Sequence, residues 1–376
     1  MKKIISVLLS AAVAAGMLVS CGEMEDEPMR DMTTAEIVKE MGIGINLGNT
    51  FDCHGDWYSG GGTVEDLQTA WGSPVITQEI IQSYVDAGFG VMRLPVSWQS
   101  LMDPEGNIDK SLLDNVEKVV RWILDGDMYC ILNMHHESWM DTLGTDYEAT
   151  MAKYEKVWTQ IAERFKHYGD KLMFESMNEV GVDSLWNRFG GGTEGKEEAF
   201  NRHNSVNQKF VDIVRASGAN NAKRHLLIAT YWTDIDLACD PLTKMPNDPE
   251  GRIAVSVHYY TPSTLCLLDS DADWGKAKTD WGSEEDYATL HEKMDMMTEN
   301  YVKKGIPVII GEYGCFGYNK PAEIKQKWTL DVATEAYERD MCPVLWDTPG
   351  GEQFMRDELR WLHKDFIAEL VGIAKK

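Results

Sequence analysis

No two cysteines in this chain stand in C-x-x-C spacing, although it has seven of them. A zinc site built from thiolates is therefore not expected. No G-x-G-x-x-G opens a helix, which argues against a dinucleotide-binding fold. Internal repeats and low-complexity tracts are missing too, as is any interdomain linker beyond the N-terminal region. Positive charge is scarce: 36 Lys and Arg face 61 Asp and Glu, a formal net charge of −25. So acidic a chain repels nucleic acid and anionic membrane surfaces, leaving a neutral substrate as the natural partner.

What is present is ordinary for a globular protein with a large core, 43% hydrophobic and 26% charged. A chain of 376 residues fits two average domains or one α/β barrel of roughly 200 to 400 residues. The 13 Trp and 14 Tyr suit a core, and equally a sugar cleft, where flat apolar faces stack on pyranose rings.

The first 21 residues, "MKKIISVLLSAAVAAGMLVSC", have a basic start, an apolar run and small residues before Cys21. That is the layout of a secretory signal rather than a membrane span, for which the run is near the short limit of about 20 residues. "LVSC" resembles a bacterial lipoprotein lipobox, which implies lipidation of Cys21 and an anchor in the outer membrane. Residues 1–20 then read as signal peptide and 21–32 as an acidic tether, similar to the surface-export stretch of some Gram-negative lipoproteins. Cys53, Cys130, Cys239, Cys266, Cys315 and Cys342 are scattered and mostly adjoin apolar runs, so free, partly buried thiols are expected.

From 33 to 376 one catalytic domain is expected. Eight β-rich apolar runs recur, at 42–50, 89–98, 129–137, 172–180, 224–232, 252–260, 306–314 and 342–348. Helical patterns lie between them, as at 76–88, 111–126 and 200–218, with apolar residues three and four apart and a closing Gly. Strand and helix alternating eight times predict an α/β fold, the (β/α)8 TIM barrel. A doubly wound open sheet fits less well, because the even spacing has no break. Glycines at 60–62 and 190–192 fall in long connections expected on the active face.

In such a barrel the C-terminal strand ends converge on one mouth. Those ends carry Asn46, Asn49 and Asp52; Arg93; His135, His136 and Glu137; Asn178 and Glu179; Tyr231 and Trp232; His258 and Tyr260; Glu312; and Trp346 with Asp347. Any one of them is more often a solvated cap than a catalyst. Chemistry-bearing groups on nearly every strand predict an active site there. Glu179 and Glu312 provide the pair of carboxyls that glycosidic cleavage uses. Glu175, inward by strand alternation, reads as a buried structural carboxylate.

In order along the chain, "INLGNTFD", "WGSP", "FGVMRLPVSW", "ILNMHHE", "MFESMNE", "SVHYYTP", "VIIGEYG" and "LWD" resemble glycoside hydrolase family 5, especially its bacterial endoglucanase and xyloglucanase branch. The resemblance runs from about Thr33 to the C-terminus. It implies Glu179 as acid/base and Glu312 as nucleophile, with Arg93, His135, His136, Asn178, His258, Tyr260 and Trp346 binding substrate around them. It further implies Asn49 and Asp52 on the non-reducing side of the cleft and Trp274 over the leaving-group side. A β-1,4-glucan substrate, a monomer and no cofactor or metal follow from it. By charge, Arg93 and Tyr260 should hold Glu312 ionised and leave the raised pKa on Glu179. After "LWD" the chain reads "TPGG" where relatives often have Asn-Gly, which bears on the cleft wall beside Trp346.

Three other readings compete. His135, His136 and His258 with carboxylates could bind a metal, but neighbouring residues on a strand face opposite ways. A non-catalytic glycan-binding lipoprotein would be expected to lack one of the two glutamates. A β-mannanase would keep the whole catalytic set and differ in its loops.

Overall fold

The computed structural model describes residues 25–55, 62–349 and 353–375. Cys21, the expected leader, the first residues of the expected tether and Gly60, Gly61, Gly350 and Gly351 lie outside the described residues.

Eight parallel strands close into a barrel in chain order: β1 Gly44–Asn46, β2 Val91–Leu94, β3 Tyr129–Asn133, β4 Leu172–Glu175, β5 Leu226–Ala229, β6 Ile253–Tyr259, β7 Val308–Tyr313 and β8 Cys342–Leu345. The fold is the expected (β/α)8 barrel in a single catalytic domain. The helices are α1 Thr34–Met41, α2 Val64–Thr69, α3 Gln78–Ala87, α4 Lys110–Asp125, α5 Tyr147–Phe165, α6 Lys196–Ala216, α7 Ile235–Ala238, α8 Ser263–Cys266, α9 Glu284–Asn300, α10 Ala322–Tyr337 and α11 Lys364–Gly372. Between β5 and β6 a 3-10 turn at Tyr231–Thr233 is followed by an α-helix of four residues, α7, so the repeat is not uniform. A short hairpin, β9 Phe354–Met355 with β10 Arg360–Trp361, follows β8.

Period-two alternation sorts the barrel interior. Val91, Ile131, Met173, Leu227 and Ile309 form an apolar layer that packs on Ile37, Val38 and Met41 of α1, which plugs the base. Two residues further along β1 to β4 and β6, the same inward face carries Asn46, Arg93, Asn133, Glu175 and Ser256, all fully buried. The polar layer thus sits directly beneath the mouth.

β7 breaks the alternation on purpose. Val257 pairs with Ile310 but His258 with Glu312, leaving Gly311 as a bulge. A Cβ on Gly311 would point to Ser256, His258 and Glu175, so Gly311 faces inward and strict alternation would send Glu312 outward. The bulge re-aims Glu312 to the mouth.

Part of the segment expected to be a tether packs on the barrel instead. Glu27 bonds backbone to backbone with His167 and through its side chain to Gly169 N. Arg30 joins Asp170, Glu40 and Tyr129. The folded unit therefore takes in residues before Thr33, at the base of the barrel. Among the described residues no helix is long and apolar enough to cross a membrane, and no disulfide joins Cys53, Cys130, Cys239, Cys266, Cys315 or Cys342.

Candidate active site

Arg93 organises the floor of the mouth. Its Nε donates to Glu175 Oε2 at 2.6 Å, Nη1 to Glu312 Oε1 at 2.8 Å and to Asn46 Oδ1 at 3.1 Å, and Nη2 to Asn178 Oδ1 at 2.9 Å. Ser256 Oγ donates to the other oxygen of Glu175 at 2.7 Å. Glu175 is thus the structural carboxylate that the alternation indicated: fully buried, paired and hydrogen-bonded, which is the condition for keeping a charge inside. Asn178, holding Arg93 through its oxygen, has its amide NH2 left to donate.

Glu312 also accepts from Tyr260 Oη at 2.9 Å, with His135 Nε2 at 4.0 Å. Asn133 Nδ2 lies 3.0 Å from His135 Nδ1; as the donor it leaves the ring hydrogen on Nε2, the nitrogen facing Glu312. The His135 ring lies parallel to Trp346, centroids 5.8 Å apart and 9° between planes. His258 Nδ1 is 2.7 Å from Glu179 Oε1 and 3.6 Å from Glu312 Oε2, and its buried Nε2 meets no partner among the described residues. The ring therefore gains most by donating from Nδ1 to an ionised Glu179. Carboxylate oxygens of Glu179 and Glu312 and a His258 nitrogen lie within 4.8 Å of one another.

The electrostatics reverse the expectation from sequence. Burial lifts the Glu312 carboxyl above its ordinary value, beyond what His258 and Arg93 recover, and the neighbouring Glu179 charge adds to the lift. For Glu179, burial acts upward as well, but the hydrogen bond and charge of His258, with help from His136 and Arg93, bring it below the usual value. The difference lies in His258, whose ring hydrogen-bonds Glu179 but reaches Glu312 through its charge alone, while the Glu179 charge opposes a second one on Glu312. Burial holds His135 well below its ordinary pKa and His136 down at about 4, so both rings are neutral.

Two cavities of about 690 and 630 Å³ flank this floor, and Glu179 and Trp232 line both. Trp274 lines the larger, with His258, Tyr260, Phe189 and Leu267. The smaller is lined by His54, His135, His136, Glu137 and Asn178. His135 and His136 both reach it because β3 ends at Asn133, so strand alternation no longer separates them; their rings are 4.4 Å apart.

Asp52 is not on the cleft wall. It is fully buried, accepting from the backbone N–H of Thr50 at 2.6 Å and of Asn49 at 2.9 Å, and burial pushes its carboxyl up to about 6. It shapes a turn in which Asn49 takes a left-handed φ of 54°; Asn49 is half-buried and lines neither cavity. Sequence alone assigns no site role to Trp232, His54, Arg188 or Phe189, which line these cavities. Trp232 carried a signal, its place at the end of β5. The other three sit in loops with no periodicity.

Two carboxyl groups this close in the mouth of a closed barrel are the equipment of a barrel glycosidase. Comparison with known proteins agrees: residues 52–350 match the cellulase family, glycosyl hydrolase family 5, and the chain belongs to it. It is 36% identical over 352 residues to endoglucanase B of Clostridium cellulovorans, covering 89% of this chain and 74% of that one. A GH5-4 broad specificity endoglucanase from an uncultured bovine rumen ciliate superposes with a TM-score of 0.82 at 34% identity, covering 92% of this chain and 98% of that one. A family 5 lichenase from Caldicellulosiruptor, in complex with cellotetraose, gives 0.83 at 29% identity over 94% and 98%. The chain is a glycoside hydrolase of the endoglucanase type.

Proposed function

We propose that this enzyme cleaves β-1,4-glucan backbones internally, with retention, by double displacement. The observation that carries this reading is the approach of Glu179 and Glu312 to within 4.8 Å between carboxylate oxygens. Retaining enzymes hold their carboxyls about 5 to 5.5 Å apart, whereas inverting ones leave about 6.5 to 9.5 Å for a water. Cavities on both sides of Glu179 suit a chain that passes through, as endo cleavage requires.

Glu312 is the nucleophile: Arg93 and Tyr260 orient its two oxygens, and it attacks the anomeric carbon to give a glycosyl-enzyme. Glu179 protonates the departing oxygen, then takes the proton from the water that hydrolyses the intermediate. In the empty cleft the pair's proton favours Glu312, so loading requires it on Glu179. His258, facing both carboxylates, stands where that transfer occurs. Asn178 donates to the sugar 2-hydroxyl, Trp346 offers a stacking face, His135 and His136 bind on one side of the cleavage point and Trp274 on the other.

Mixed-linkage glucan, cellulose and xyloglucan are the proposed substrates, in keeping with the broad specificity and lichenase relatives, and β-mannan is the alternative. Reducing ends released from these four polysaccharides rank them. The role assignment is tested with Glu179→Ala and Glu312→Gln. The first should keep slow cleavage of substrates with good leaving groups and be accelerated by azide; the second should be inactive on all and not rescued with retention. Equal, complete loss in both would sink the assignment. We further propose lipidation at Cys21 and attachment to the outer membrane; Cys21→Ala should release the protein from the membrane fraction, and unchanged attachment would refute this.

A further inference from the structure

Bonded to the backbone next to Trp346 is a buried guanidinium that the reaction does not use. Arg356, between β9 and β10, is 1% exposed. Its Nε donates to Tyr84 Oη at 3.0 Å; Nη1 donates to Gly48 O at 3.0 Å, Thr50 Oγ1 at 2.9 Å and Ser73 Oγ at 3.2 Å; Nη2 donates to Asp347 O at 3.1 Å. Tyr84 in turn donates to Asp347 Oδ2 at 2.8 Å, which lies 3.5 Å from Arg356 Nη2. One side chain thereby ties together the loop after β1, the approach to α3, α3 itself and the residue that follows Trp346.

Burying a guanidinium is costly, and apolar packing would hold a hairpin at least as well. What apolar packing cannot supply is a rigid fork that fixes two backbone carbonyls at once. Both carbonyls belong to the seat of the Trp346 ring. Asp347 O accepts from Gly48 N at 3.1 Å. Gly48 lies so close under the indole that an added Cβ would come 2.7 Å from Trp346 Cζ2 and 2.9 Å from Asp347 O. On the ring's far neighbour, His135 stacks in parallel, and His135 is the residue that faces Glu312.

We infer that Arg356, with Tyr84 and Asp347, is a positioning device: it sets the Trp346 stacking face against the floor of the cleft and so acts on the reaction through Trp346. This rests on the reading of Trp346 as a sugar-stacking residue. It also identifies a support for the backbone beside Trp346, namely the Arg356 side chain of the β9–β10 hairpin, bonded to Gly48 O and Asp347 O. Arg356 touches no reacting atom, so its effect is indirect and must vanish when the ring is removed.

A double-mutant cycle reads that dependence. Arg356→Lys keeps the charge and loses the fork; Tyr84→Phe keeps the volume and loses the link to Asp347. Each is made in the parent and in Trp346→Ala, and kcat/KM is measured on soluble mixed-linkage β-glucan and on cellotetraose. The expected result is a loss of about tenfold or more in the parent, shrinking to less than threefold when Trp346 is already Ala. Equal fold-losses in the two backgrounds would overturn the inference, because a general loosening of the barrel does not need the ring. Should Arg356→Lys fail to fold, Tyr84→Phe carries the same comparison. Trp346→Ala as active as the parent would overturn the stacking role and the inference with it; an impaired Trp346→Ala with equal losses overturns the inference alone.

Discussion

His258 Nδ1 stands 2.7 Å from Glu179 and 3.6 Å from Glu312, so one ring faces both carboxyls, and the two carboxyls titrate as a pair. Their apparent pKa values belong to the pair. Activity should be bell-shaped in pH: the alkaline limb follows loss of the single shared proton, the acid limb the arrival of a second. Arg93 stabilises the ionised pair, so Arg93→Met should move the acid limb to higher pH. An acid limb that stays put in a folded variant would show that Arg93 does not bias the pair.

The complementary change tests the division of Arg93. Glu175→Gln leaves the guanidinium with one carboxylate fewer to neutralise, and its field falls more fully on Glu312. The acid limb should move to lower pH, opposite to Arg93→Met. Stability should fall by about 3 kcal/mol or more, the usual cost of breaking a buried pair, read by denaturant unfolding. A shift in the same direction as Arg93→Met would contradict the charge argument.

Glu137 supplies a pH effect on stability rather than on rate. Burial raises its carboxyl to about 8 from 4.5, even though it accepts from Trp139 Nε1. A raised folded pKa means the folded protein keeps a proton that the unfolded chain releases. Its contribution is complete below about 4.5 and is lost as pH rises toward 8. Glu137→Gln, which cannot ionise, should remove that slope: Tm of the parent should fall from pH 5 to 8 relative to the variant. Parallel curves would place the Glu137 carboxyl at an ordinary value.

Trp232 is held over Gly181 with no room to spare. A Cβ there would lie 1.9 Å from Trp232 Nε1 and 2.5 Å from Cδ1, so Gly181→Ala must push the indole, which lines both cavities. Overpacking of this kind costs about 1 to 3 kcal/mol. If the strain falls on the bound chain, kcat/KM on polysaccharide should drop roughly tenfold or more, while hydrolysis of a short aryl glycoside changes less. Equal effects on both would remove Trp232 from the substrate path.

Glu179, His258 and Glu312 form a donor set that a metal ion accepts by type, yet Arg93 and Tyr260 already hold both oxygens of Glu312. Cleavage should be unaffected by prolonged treatment with EDTA. Loss of activity restored by a divalent cation would overturn the two-carboxylate chemistry.

The barrel was legible because its eight strands are apolar runs bounded by turns, and the mouth because strand ends in a barrel must converge. Glu175 was legible from alternation alone. The aim of Glu312 was not, since it depends on a bulge at Gly311 that only the pairing of β6 with β7 shows. Asp52 reads as a cleft residue by position, but it turns inward to satisfy the backbone of its own loop. The charge reversal between Glu179 and Glu312 arises from His258 of β6, whose ring bonds Glu179 and only faces Glu312, a relation that no spacing in the sequence displays. The missed Arg188 and Phe189 lie in a long loop, where no period indicates which side chain meets the cavity.

The central claim is that Glu312 carries the covalent intermediate. Incubation with an activated 2-deoxy-2-fluoro cellobioside slows the second displacement and should trap the glycosyl-enzyme, visible as a mass increase of one inhibitor glycone. Peptide mapping should place that mass on the segment containing Glu312, with Glu312→Gln unlabelled. A label on Glu179 or Glu175, or turnover with inversion and no trapped species, would contradict the account.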